Sequence, residues 1–117
     1  MSQQMRERAA QVRRDALAHL TALAGDAGMC AIGRSGRSFP AAKYHEGRQA
    51  AAGQLARMLA RSADEQEALR AVAGEWRGLR TSSGARGPDW AAYAAGGLDA
   101  LEEITADADP ADPGAPS

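Results

Sequence analysis

Cysteine is almost missing from this chain: Cys30 stands alone. A single thiol forms no disulfide within the chain and leaves no Cys-x-x-Cys or Cys/His spacing for tetrahedral zinc, so a reducing, cytoplasmic setting without a metal is expected. Large apolar side chains are scarce as well. The 117 residues include nine Leu, four Met, two Ile, two Val and five aromatics, and most of the 44% apolar fraction is alanine. So few β-branched residues argue against sheets. No stretch approaches the roughly 20 apolar residues of a membrane span, and Met1 to Leu20 lacks the apolar run of a signal peptide, so no membrane contact is expected. Lysine occurs once, at position 43, beside thirteen Arg. With the alanine content, that usage points to a GC-rich bacterial or phage genome.

What is abundant points to helices. Alanine loses no side-chain entropy in a helix and is the best helix former. The length fits one domain, expected over residues 1–106, followed by a disordered acidic, Pro-rich tail over 107–117. Each buried alanine removes little area from water, so a thin core of this kind is expected to gain stability by self-association, most simply as a homodimer.

The net charge of −1 hides an asymmetry. Residues 1–87 hold all 14 basic side chains against eight acids, whereas residues 88–117 hold seven acids and no base. A basic body with an acidic end suits either a solvated tail or a polyanion-binding body whose tail competes with its ligand.

Apolar periodicity places four helices. Met5, Ala9, Val12, Ala16, Leu20 and Leu23 line one face of a helix over 2–24, ended by Gly25. Pro40 opens a second over 40–61, with Tyr44, Gly47, Ala51, Leu55 and Met58 inward. Ser62 and Glu65 have capping-box spacing for a third over 63–80 through Leu69, Val72, Trp76 and Leu79. Pro88 starts a fourth over 88–106, with Trp90, Tyr93, Gly97, Leu101 and Ile104 inward. The expected fold is an all-α, compact four-helix bundle with a long basic Gly/Ser loop, Gly33 to Ser38, after the first helix.

A weak repeat links the second and fourth helices. Tyr44-x-x-Gly47-x-x-x-Ala51 and Tyr93-x-x-Gly96-x-x-x-Ala100 are offset by 49 residues. Glycine costs about 1 kcal/mol inside a helix, so the pattern asks for close approach of another backbone, inside the domain or from a partner.

Several residues were weighed for chemistry. Arg14 and His19 keep the Arg-x4-His spacing of the ribonuclease motif in helical nucleotide-binding (HEPN) domains; the resemblance is confined to that spacing, and His19 reads as a partly buried structural histidine. Trp76-Arg77-Gly78 resembles the Trp-x-Gly turn of small helical-hairpin proteins exported by type VII secretion. That family has an acidic residue four places after its tyrosine, where this chain has Gly97, so Trp76 reads as the largest core residue of its helix. His45 and Glu46 are adjacent on a helix, point about 100° apart and are read as surface groups. Cys30, between Met29 and Ile32, reads as a small buried apolar residue.

The function expected from these residues is a small non-enzymatic regulatory or adaptor protein, acting through helix faces on a protein partner or a second copy and needing no cofactor. Its expected partner-binding residues are Arg34, Arg37, Tyr44, Gly47, Arg48, Tyr93 and Gly96. The alternative is a nucleic-acid-binding regulator that sets Arg34, Arg37, Lys43, Arg48, Arg80 and Arg86 against phosphates, while acids from Asp99 onward compete for the same surface.

Overall fold

The computed structural model describes residues 2–27, 40–61, 64–83 and 86–108. These form four α-helices: α1 (Ser2–Ala27), α2 (Pro40–Arg61), α3 (Glu65–Ser83) and α4 (Pro88–Ala108). The chain is an all-α bundle. Among the described residues no helix is long and apolar enough to cross a membrane.

α2 spans the expected 40–61, and the other three helices end later than periodicity implied. α1 passes through Gly25 to Ala27, because a glycine ends a helix only where the chain takes up a left-handed cap. α3 continues through Thr81 and Ser82, whose hydroxyls donate back to the carbonyls of Arg77 and Leu79. Its start is capped by Asp64: the carboxylate accepts the Glu67 amide at 3.1 Å, and the Asp64 carbonyl accepts the Ala68 amide. The cap therefore stands at Asp64, directly before the helix start at Glu65, while Ser62 of the expected Ser62–Glu65 box lies outside the described residues. α4 reaches Ala108, two residues into the expected tail, and residues 109–117 lie outside the described set.

α2 and α4 form the most extensive helix pair. Tyr44 bonds Asp99 and Arg48 bonds Glu103, so a step of four residues along one helix matches a step of four along the other, and the two run parallel. At their crossing each glycine faces the other helix's tyrosine carbonyl. A Cβ built on Gly47 would collide with the Tyr93 carbonyl, and one on Gly96 with the Tyr44 carbonyl. This reciprocal contact accounts for the 49-residue repeat: two equivalent stretches meet across a local two-fold, with Cα–H groups directed at carbonyl oxygens. Ala51 and Ala100, one turn onward, are fully buried and keep the backbones close.

α1 and α3 pack on this pair and hardly touch each other. α1 lies antiparallel to α2, with Arg13 beside Gly53 and His19 against His45. Four residues of its expected stripe, Met5, Ala9, Val12 and Ala16, are under 10% exposed, while Leu20 and Leu23 are only partly buried. α3 lays the Trp76 ring across Gly97, where any Cβ would overlap the indole. Among the described residues, eight of the sixteen buried apolar ones are alanine, and the largest fully buried side chains are Leu55, Ile104 and Val72. The core is thin, and close backbone packing takes the place of side-chain bulk.

The crossing predicts opposite outcomes for two glycines. Gly96→Ala forces a methyl into a backbone carbonyl and should cost about 2 kcal/mol or more, lowering the melting temperature by roughly 10 °C. A Cβ added at Gly74 would have nothing within 4 Å of it. Gly74→Ala should therefore gain about 0.5–1 kcal/mol of helix propensity. Thermal melts followed by circular dichroism check both; a Gly96→Ala protein as stable as the parent would rule out the close crossing.

Candidate partner-binding surface

Most residues expected on a partner-facing surface instead hold α2 to α4. Gly47 and Gly96 are spent on the crossing. Tyr44 Oη donates to Asp99 Oδ2 at 2.5 Å. Burial first, and the Asp99 carboxylate second, push the Tyr44 hydroxyl up to about 12. Arg48 is only 6% exposed. It donates from Nη2 to Glu103 Oε1 at 3.1 Å and from Nη1 to His45 Nδ1 at 3.1 Å, while its buried Nε meets no acceptor among the described residues. Two of the acids expected to belong to a competing acidic end, Asp99 and Glu103, are thus structural groups of α4.

The histidines meet here as well. His19 and His45 stack with centroids 4.4 Å apart and planes 10° from parallel. Their tautomers are fixed by their partners: His19 Nδ1 donates to the Asp15 carbonyl, and His45 Nδ1 accepts from Arg48, which has only donors. Burial, then the neighbouring His19 and Arg48, hold the His45 imidazole below its ordinary value of 6.5. His19 is exposed and stacked, not partly buried. Arg14 is tied to Gln11, away from this pair, and Glu46 is tied to Lys43 at 3.1 Å, so neither the Arg-x4-His pair nor His45-Glu46 acts as a unit.

Each described residue of the nucleic-acid alternative is engaged within the chain. Arg34 and Arg37 lie outside the described residues, as does Cys30. Lys43 is paired with Glu46, Arg48 is buried, Arg80 is engaged, and Arg86 sits over an indole. No group of three or more His, Cys, Asp or Glu suited to a metal occurs among the described residues.

A different surface emerges beside α3. Trp76, 5% exposed, donates from Nε1 to Gln54 Oε1 at 2.9 Å, and Gln54 Nε2 donates to Glu75 Oε1 at 2.6 Å, so the buried indole nitrogen is satisfied. The ring packs on Tyr93 at 5.1 Å, and Tyr93 meets the edge of Trp90 at 5.8 Å. Trp90 is 40% exposed and carries the Arg86 guanidinium over its face at 4.3 Å. The stripe of α4 predicted an inward Trp90. It stands in the first turn, where Tyr93 and Arg86 are its cover. Gly87, at φ 108°, supplies the left-handed bend between Arg86 and the helix start at Pro88.

An aromatic path therefore runs from the core to the surface. Beside it is a cleft of about 460 Å³ lined by Gln54, Glu75, Trp76, Gly78, Leu79, Ser82 and Tyr93. Of the expected partner residues, Tyr93 alone lines it. Sequence reading missed Gln54, Trp90 and Arg86 as parts of one face; the available signal was the Arg86-to-Trp90 spacing of four across Gly87-Pro88. Comparison of the chain with family models, curated proteins and solved structures finds no match.

The His45 site makes stability depend on pH. Its folded value lies below the unfolded 6.5. The unfolded chain therefore binds the proton more readily, and the contribution present above pH 6.5 is lost as the pH falls through the folded value. Urea titrations between pH 7.5 and 5 should show falling stability that His45→Gln flattens. An unchanged slope in that variant would remove His45 from the account.

Proposed function

We propose that this chain is a small cytoplasmic regulatory or adaptor protein without enzymatic activity, acting by protein–protein contact and self-associating through the Trp90 face. One observation carries the reading: the part-exposed Trp90 packs on Tyr93, and Tyr93 also lines the cleft. A two-fold dimer brings each surface against its own copy, so a knob beside a hole is self-complementary. Trp90 of one copy enters the cleft of the other. Charge follows the same rule, with Arg86 beside the knob and Glu75 on the cleft wall. Trp, Tyr and Arg are also the side chains that most often dominate binding energy when a contact removes them from water.

The reading is tested by sedimentation equilibrium on the full chain. Trp90 is 40% exposed, so Trp90→Ala should cost the folded monomer only about 1 kcal/mol and leave it cooperatively folded. The same change should weaken the dimer by about 2 kcal/mol, roughly 30-fold in Kd. A parent chain that stays monomeric at high concentration, or a Trp90→Ala dimer as tight as the parent's, would sink it.

A further inference from the structure

The remaining arginines point to a second surface. Gly53 is buried in α2 on the side toward α1, and the space a Cβ would take is flanked by two cations. Arg13 Nε from α1 lies 3.6 Å from that point, and Arg57 Nη1 from the next turn of α2 lies 3.5 Å from it. The two nitrogens are thus within about 7 Å of each other, a separation at which like charges repel and an anion between them is favoured. Neither has a carboxylate partner among the described residues. The acids closest in sequence are used elsewhere: Asp15 accepts from Gln11, and Asp64 accepts from the Glu67 amide.

The positive charge extends along both helices. Arg61 follows Arg57 by one turn, and Arg6 precedes Arg13 by two turns, about 10 Å along α1. Both are exposed. This layout suits a linear polyanion better than a single small anion, since the charges lie along a helix surface and none of the described cavities is lined by Arg13 or Arg57. Guanidinium forks match phosphate oxygens. Among the described residues neither Arg13 nor Arg57 lies over an aromatic ring beside which unpaired bases could stack, so a duplex backbone fits better than a single strand.

We infer that the α1–α2 face centred on Arg13 and Arg57 over Gly53 binds the phosphate backbone of double-stranded nucleic acid without reading its sequence. This surface is separate from the proposed dimer face, and none of the residues that make it up lines the Trp76 cleft.

The test is fluorescence anisotropy of a labelled 20-base-pair random duplex with the full-length protein between 50 and 200 mM salt. The parent should bind at low salt and weaken steeply as counterions are retained. An Arg13→Gln, Arg57→Gln double variant should lose about tenfold or more in affinity at low salt, with a salt slope shallower by roughly 2. An Arg70→Gln, Arg77→Gln variant makes the same charge change on α3 and should bind as the parent does. Circular dichroism melts verify that all three proteins are folded. No parent binding at 50 mM salt would overturn the inference, as would equal losses in the two double variants. Binding to anionic lipid vesicles without binding to duplex would overturn it too. Dimer strength, read separately by sedimentation, is unaffected by any of these results.

Discussion

The approach of two backbones at Gly47 and Gly96 is the constraint from which the rest of the bundle follows. Each glycine gives up about 1 kcal/mol of helix propensity, and what offsets it is direct contact between main chains. Because the axes come so close, small residues suffice on both sides, and Ala51 and Ala100 fill the next turn. The same closeness carries Tyr44 to Asp99 and Arg48 to Glu103, and it leaves Gly97 bare for the Trp76 ring. A chain with few large apolar side chains thus gains a core by bringing backbones together.

Polar groups serve that packing. Arg48 is removed from water, and its charge is met by the half-exposed Glu103 carboxylate and by a histidine lone pair. A buried arginine held in this way makes the pairing of α2 with α4 specific as well as close, since a register shift would strand the charge. With these groups occupied, two surfaces of different chemistry remain. One is aromatic, on α4 and the end of α3; the other is a pair of guanidiniums on α1 and α2. Protein contact is proposed for the first and phosphate contact for the second, and separate faces allow both at once.

Helix number, order and inward stripes were legible because they follow from periodicity alone. Met5, Ala9, Val12 and Ala16 needed only a spacing of three and four. The glycine repeat was legible as a demand for close approach, but a single chain's sequence does not say whether the second backbone is its own or a partner's. Trp90 was misplaced for a related reason: periodicity describes a helix face and is silent about where a neighbouring helix stops covering it. Arg13 and Arg57 were invisible, since their meeting depends on which residue of α2 opposes which turn of α1. Asp64 was overlooked because serine and aspartate cap equally well, and only the observed helix start decides between them.

The parallel pairing also bears on the order of assembly. Its contacts join residues about fifty apart, while α1–α2 and α3–α4 are neighbours in the chain. Local contacts form before distant ones because closing a longer loop costs more entropy. The bundle divides into two helical hairpins, and the contact that joins them is a glycine-on-carbonyl fit that a methyl group disrupts. The register of α2 on α4, and with it the seating of one hairpin on the other, is thereby set at a single seam.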